Sequence, residues 1–199
     1  MKRNPTRELV AQLAAQLMYE HGMRDFSAAR RKAARKLGIV DTHHLPGNEE
    51  IEAAIREYHA VFHADTHPQW LRQLRTSALQ TMHMLSGFDP YLTGSVLDGS
   101  AGRHSDIDIE LFTDNEKDVE MYLLNHNIPF RQADCGHRHG RRPVPCFILN
   151  GTLCDIRVSV RPADAVRHAA RAAGELSRRA SMTQLASLLA QETPDSASA

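Results

Sequence analysis

The chain has 199 residues, with 24 Lys or Arg and 24 Asp or Glu, so its formal net charge is zero. This length accommodates one domain with a modest helical extension, and the balanced charge excludes a global electrostatic attraction to nucleic acid or membranes. The sequence lacks a signal-peptide-like apolar stretch, a run of about 18 apolar residues for a spanning helix, and a cysteine pattern typical of a disulfide framework, so we expect a cytoplasmic protein.

Three apolar stripes with helical spacing follow one another in residues 1–66, which we interpret as an N-terminal helical region. The first stripe ends near Gly22 and the second is closed by Gly38. The third begins after the turn Pro46-Gly47, with Asn48 as its N-cap. The stripes comprise Leu9, Val10, Leu13, Leu17 and Met18; Phe26, Ala29, Ala33 and Leu37; and Ile51, Ala54, Ile55, Tyr58 and Phe62.

Residues 67–161 predict a compact core domain. Within it, the apolar residues first recur with helical spacing and then, from Pro90, at every second position, as in strands. Pro68 suits the start of a fourth helix, and Pro90 precedes a short strand at Tyr91–Thr93. A second strand is predicted at 105–112, a helix at 116–124 and a third strand at 128–132. The predicted core face of the fourth helix comprises Leu71, Leu74, Ala78, Met82 and Leu85.

The remaining segments predict a hairpin and a helical end. Strands at 146–149 and 153–160 flank Asn150-Gly151, a pair of residues typical of a tight hairpin turn. Residues 134–145, rich in Gly, His, Arg and Pro, are interpreted as a loop. Residues 162–191 are expected to form a C-terminal helical segment, and 192–199 a disordered tail.

Two carboxylates in the second predicted strand indicate a metal site. Asp106 and Asp108 stand at i and i+2, so on a strand they project from one face, about 6.6–6.8 Å apart. Like charges held this close favour a dication between them. Gly94-Ser95 ends the preceding strand and can present backbone N–H groups to phosphate, so the combination points to metal-assisted nucleotidyl transfer. Glu110 shares the polar face and is interpreted as a peripheral, solvated acid.

A third carboxylate follows from the alternation of the second hairpin strand. Cys154, Ile156, Val158 and Val160 form its apolar face, so Asp155, Arg157 and Ser159 share the opposite face. If this strand lies beside that of Asp106 and Asp108, three carboxylates can hold two Mg²⁺ ions roughly 3.5–4 Å apart. Asp155 is then placed to take the proton of an acceptor hydroxyl, and Arg157 to neutralise triphosphate charge.

The pattern Gly94-Ser95, Gly99-Ser100-Ala101 and Ser105-Asp106-Ile107-Asp108-Ile109 resembles the nucleotidyltransferase domain of the DNA polymerase β superfamily, in its minimal, aminoglycoside-nucleotidyltransferase-like members. Val96, Leu97 and Asp98 depart from the arginine-containing stretch of many such members. The resemblance implies an α+β fold in which helices back a mixed sheet. It also implies Mg²⁺ and a nucleoside triphosphate, with ATP favoured, as ligands. It assigns Gly94, Ser95 and Ser105 to the nucleotide, and Asp106, Asp108 and Asp155 to metal.

Alternative interpretations remain open at this stage. The same fold occurs in non-catalytic or partner-regulating modules, antitoxin-like or triphosphate-binding. A haloacid-dehalogenase-type phosphatase also uses D-x-D but requires Thr or Val where this chain has Glu110, and no P-loop motif occurs. The basic residues at 30–36 and the histidines at 59, 63 and 67 are interpreted as solvated helix faces. The acceptor, whether a small molecule, a protein hydroxyl or an RNA end, stays open, with nucleic acid not favoured.

Overall fold

The structure is a computed structural model, which describes residues 5–23, 25–39, 45–135, 144–165 and 179–192. The chain divides into two compact units. The first contains Met1–Trp70 and Gly99–Ser105, and the second contains Leu71–Asp98 and Asp106–Ala199.

Three helices, α1 (Pro5–His21), α2 (Phe26–Lys36) and α3 (Asn48–Phe62), form the first unit, and α1 packs against both others. Much of their shared core is alanine, whose short side chain lets helix axes approach closely. The predicted core positions Leu9, Leu37 and Phe62 are wrong, because these side chains are 54%, 41% and 65% exposed. The alanines that take part in the core are Ala11, Ala14, Ala15, Ala29, Ala33, Ala34 and Ala54.

The predicted ends of α1 and α2 are confirmed, and the predicted N-cap of α3 is corrected. Gly22 and Gly38 adopt φ values of +61° and +69° directly after α1 and α2, which confirms the predicted stops. The predicted N-cap Asn48 is wrong, since it is the first residue of α3 and Gly47 is the cap. The Glu50 carboxylate accepts a 2.7 Å hydrogen bond from the N–H of the capping residue Gly47, as the third helical residue does in a capping box.

A histidine contact joins α3 to the start of α4 (His67–Met84) within the first unit. His59 is 2% exposed, so its interpretation as part of a solvated face is wrong. Its ring stacks on that of His67 with centroids 3.7 Å apart and meets Tyr19 edge-on at 5.2 Å. Burial, with the neighbouring His67 as a smaller cause, lowers the pKa of His59 to about 4.

The second unit contains a six-stranded mixed sheet, which confirms the predicted α+β class. Its order is β3-β4-β5-β2-β1-β6, and among the described strands β2 and β5 are the one parallel pair. The helix α4 buries Leu71, Leu74, Ala78 and Met82, and Leu85 follows it in the core, as predicted. The strands are β1 (Tyr91–Thr93), β2 (Ile107–Phe112), β3 (Phe130–Cys135), β4 (Val144–Asn150), β5 (Asp155–Arg161) and β6 (Arg179–Ala180). The remaining helices of the described ranges are a 3₁₀ turn (Ser86–Phe88), α5 (Gly94–Asp98), α6 (Glu116–Asn125) and α7 (Met182–Gln191).

Several strand bounds differ from prediction. The strand expected at 105–112 begins at Ile107, and the one expected at 153–160 begins at Asp155. The predicted loop 134–145 is too long, because antiparallel pairing continues through Asp134–Pro145 and Cys135–Val144. Residues 136–143, the stretch 166–178 of the predicted C-terminal helical segment and the tail from 193 lie outside the described residues.

The two faces of the sheet separate by polarity along β2 and β5. Ile107, Ile109 and Leu111 are fully buried on one face, and Val158 of β5 lies among them. Parallel pairing of Ile107 with Ile156 and of Ile109 with Val158 puts like faces together. The polar residues of both strands therefore share the opposite face, as expected. No helix in the described ranges is long and apolar enough to cross a membrane.

Candidate functional site

A row of polar residues crosses the sheet at Asp108. Asp108 pairs with Thr93 of β1 on one side and with Arg157 of β5 on the other. The Nε atom of Arg157 lies 3.7 Å from Oδ1 of Asp108, with the two side chains 36% and 41% exposed. At this exposure the ion pair stabilises the fold by no more than about 1 kcal/mol.

The Gly-Ser turn lies directly against the Asp108 carboxylate. Gly94 has φ of +71°, and a Cβ built on it would lie 2.9 Å from Oδ2 of Asp108. Only glycine permits both this backbone conformation and this close approach. Gly94 and Ser95 begin the short helix α5, so their backbone and the carboxylate form one local structure, as the motif predicted.

Arg75 of α4 anchors the other end of α5. Its guanidinium is buried and donates from Nε to the Val96 carbonyl at 3.0 Å and from Nη2 to the Leu97 carbonyl at 2.8 Å. Its Nη1 pairs with the Glu192 carboxylate. Sequence reasoning missed Arg75, because an arginine inside an amphipathic helix reads as a solvated residue.

Asp106 and Ser105 precede the strand rather than lying on it. Asp106 is 9% exposed, and strand pairing begins only at Ile107. The prediction that Asp106 lies on the same strand as Asp108 is therefore wrong by one residue. Ser105 belongs to the first unit, where its N–H donates to the Gly102 carbonyl at 3.2 Å and its Oγ accepts from the Gly102 N–H at 2.9 Å.

Asp155 is the first residue of β5, where it pairs with Asn150 of β4. Its Oδ2 accepts a 2.6 Å hydrogen bond from Nη2 of Arg131. The parallel ladder begins with Ile107 and Ile156, so Asp106 and Asp155 each precede the first pair. The strands of the three predicted carboxylates are thus neighbours, although Asp155 is held by an arginine of β3.

The donor chemistry of a Mg²⁺ site fits this end of the sheet only in part. Carboxylate oxygens are the ligands that Mg²⁺ takes in proteins, and Asp106, Asp108 and Asp155 supply them. Yet the part of the chain that the structure describes contains no group of three or more His, Cys, Asp or Glu arranged to hold a metal ion. Among these residues the three-carboxylate clamp is therefore not assembled.

Glu110 is the best-paired acid of the polar face. Its Oε1 accepts from Arg161 at 3.2 Å (Nε) and 3.0 Å (Nη2), and its Oε2 accepts from Nε of Arg179 at 2.5 Å. The Glu110 side chain is only 11% exposed, so its interpretation as a solvated acid is wrong. The guanidinium of Arg179 also lies 5.3 Å from the centre of the Phe112 ring.

Sequence reasoning missed both of these arginines. Arg161 had a signal, because it continues the alternation of Asp155, Arg157 and Ser159 along β5. Arg179 had none, because β6 is two residues long and its pairing with β1 is a tertiary contact.

An open depression of about 160 Å³ lies on this polar face. It extends from the row of Asp108 to the row of Glu110. The depression is lined by Thr93, Asp108, Glu110, Cys146, Arg157, Ser159 and Arg161.

The chain matches no protein-family model and no curated protein. The resemblance to nucleotidyltransferases therefore rests on its motifs, and the mixed sheet is consistent with that fold.

Proposed function

We propose that the chain is a Mg²⁺-dependent nucleotidyltransferase that moves a nucleoside monophosphate from a triphosphate, with ATP favoured, to an acceptor hydroxyl. The observation that carries the proposal is the contact of the Gly94 backbone with the Asp108 carboxylate. A nucleotidyl-transfer site requires phosphate-binding backbone beside a metal-binding carboxylate, and no other motif of the chain supplies that combination.

In the proposed reaction, the acceptor oxygen forms a bond to the α-phosphorus, and the bond from that phosphorus to the bridging oxygen breaks, releasing pyrophosphate. Gly94 and Ser95 bind and orient the triphosphate. Arg157 turns from Asp108 toward the phosphates and neutralises part of their charge. When bound, Mg²⁺ supplies stabilisation of the negative charge on the transferred group. Asp106 and Asp108 are the residues that would hold it.

Asp155 is proposed to take the proton of the acceptor hydroxyl. In that role its carboxylate must leave Arg131, with which it forms an exposed ion pair at 2.6 Å. Such a pair stabilises the fold by at most about 1 kcal/mol, so substrate binding can displace it. The parallel pairing of β2 and β5 supports this role, because it sets the strand of Asp155 beside that of Asp108.

A second candidate function is a triphosphate-binding or antitoxin-like module without transfer activity. The observation that favours it is the pairing of two proposed site carboxylates with arginines of the same chain, Asp155 with Arg131 and Asp108 with Arg157. A module of this kind would bind triphosphate without metal, because its arginines already neutralise the acids.

The test incubates the full chain with Mg²⁺ and each α-labelled triphosphate against RNA, lysate protein and metabolite pools. Label transfer that is lost in Asp106→Asn is the expected result. Asp65→Asn serves as the control, because Asp65 is an exposed acid of the first unit. Transfer that survives Asp106→Asn would refute the proposal, and metal-independent triphosphate binding with no transfer would establish the second candidate.

A further inference from the structure

The depression on the polar face extends away from the Gly-Ser turn. Strand β1 runs antiparallel to β2, and Thr93, opposite Asp108, is its last residue before Gly94. Gly94 therefore lies beyond Asp108 toward the N-terminal end of β2, whereas Glu110 lies one step toward its C-terminal end. Residues on one face of a strand are about 6.6–6.8 Å apart per two-residue step. Glu110, and Arg161 one step further along β5, are thus on the opposite side of Asp108 from the proposed triphosphate site.

Positive charge exceeds negative charge around the depression. Arg157, Arg161, Asp108 and Glu110 line it, and Arg179 pairs with Glu110 from β6. Both oxygens of Glu110 are already engaged, one by each of two guanidinium groups. One carboxylate between two arginines leaves a net positive charge, so the side of the depression formed by Glu110 and Arg161 attracts an anion.

Arg161 retains a hydrogen-bonding group for such an anion. It uses Nε and Nη2 on Glu110, and Nη1 makes no hydrogen bond to any described residue. Its side chain is 34% exposed, and the pairing with Glu110 fixes the guanidinium plane. A guanidinium held in this way is pre-organised to donate to phosphate oxygens.

The volume limits what can bind. At about 160 Å³ the depression is smaller than a site for a whole small molecule, typically about 300–1,000 Å³. It is suited to one compact charged group of a larger ligand. A phosphate group, which offers several oxygens to Arg161, matches this size and charge.

We propose that this depression binds a phosphate group carried by the acceptor. The inference rests on the proposed function, which places the triphosphate at Gly94 and Ser95 on the other side of Asp108. A phosphate bound beside Arg161 then belongs to the second substrate. The acceptor class is accordingly a phosphorylated molecule whose hydroxyl extends past the row of Asp108 to Asp155, which lies one two-residue step before Arg157 on β5.

The test titrates the full chain with inorganic phosphate while the arginine Nε–Hε signals are followed by ¹⁵N NMR, with and without saturating Mg·ATP. Arg161→Gln is expected to weaken phosphate binding by about tenfold to a hundredfold, because one charge-assisted contact is lost. Arg161→Lys should retain part of the affinity, since it keeps the charge. Arg103→Gln is the control, because it removes one exposed charge of the first unit and leaves the depression intact.

Competition distinguishes the sources of the phosphate. If glycerol phosphate displaces the bound phosphate and a short RNA oligonucleotide does not, the acceptor's phosphate is a phosphomonoester. If the oligonucleotide displaces it and glycerol phosphate does not, the phosphate belongs to a nucleic-acid backbone. Phosphate binding that persists with Mg·ATP bound supports the acceptor assignment, whereas expulsion by Mg·ATP overturns it.

The remaining outcomes separate this inference from the proposed function. If Mg·ATP binds but phosphate affinity is unchanged in Arg161→Gln, or only the unfolding free energy falls, Arg161 is a structural ion-pair partner and the phosphate site is refuted. If phosphate binds at Arg161 and Mg·ATP does not bind at all, the nucleotidyltransferase proposal fails, and the acceptor assignment falls with it.

Discussion

Replacement of Arg75 by methionine is expected to lower the free energy of unfolding by about 3–4 kcal/mol. The Arg75 side chain is 7% exposed, and it donates to two α5 carbonyls and to Glu192, which is 27% exposed. Methionine preserves most of the buried volume but leaves three acceptors without their donor. Breaking a buried pair by removing one partner costs about 3–5 kcal/mol, and the partial exposure of Glu192 reduces that value.

The assay is equilibrium unfolding in urea, with Arg72→Met as the matched control one helical turn away. Among the described residues, the Arg72 guanidinium bonds only to the Glu192 carbonyl, at 3.4 Å, so its loss should cost less than about 1 kcal/mol. The loss of unfolding free energy in Glu192→Gln should lie between those of Arg75→Met and Arg72→Met, because Arg75 still donates to both α5 carbonyls. A cost for Arg75→Met below about 1 kcal/mol would refute the idea that the buried guanidinium holds α5 in place.

Two further predictions concern Gly94 and His59. Gly94→Ala should lower the free energy of unfolding by about 2–3 kcal/mol, because the new Cβ would lie 2.9 Å from the Asp108 carboxylate and φ is +71°. Gly38→Ala is the control: φ is +69° there, but no atom lies within 4 Å of the new Cβ, so the loss should be about 1 kcal/mol. Equal losses in urea unfolding would contradict the close contact at Gly94. The pKa of His59 falls to about 4 from its usual 6.5, so the unfolded chain binds more protons between these values and stability should decline as pH falls through this window, by at most about 1.4 kcal/mol per pH unit. His59→Phe keeps an aromatic ring without the titration and should flatten this part of the pH dependence of the urea midpoint; an unchanged slope would exclude His59 as its source.

The helical region shows where periodicity succeeds and where it fails. The stops at Gly22 and Gly38 followed from the sequence, because a left-handed residue after a helix favours glycine. The sequence did not show that Ala11 rather than Leu9 is a core residue. Both lie on α1, and only the close approach of the neighbouring helices favours the smaller side chain.

For the sheet, the alternation of apolar and polar residues was sufficient to assign each side chain to a face of its strand. It was not sufficient to identify which strands or side chains pair. The period-two pattern correctly placed Ile107 and Ile109 in the core and Arg157 on the polar face. It did not locate the start of β2, so Asp106 was placed on a strand that begins one residue later. A strand starts where a partner pairs with it, and β5, the partner that pairs with Ile107, lies about 50 residues away along the chain.

By itself, the sequence determined the α+β class, the polar face and the position of Gly94-Ser95 before the D-x-D pair, since these depend on local geometry and short-range pattern. Only the tertiary structure decided which charges meet on that face. Glu110 lies between Arg161 and Arg179, and Asp155 pairs with Arg131, because strand order and register bring together residues far apart in the chain. Pairing energies between such residues depend on distance and burial, and neither quantity exists until the sheet has formed.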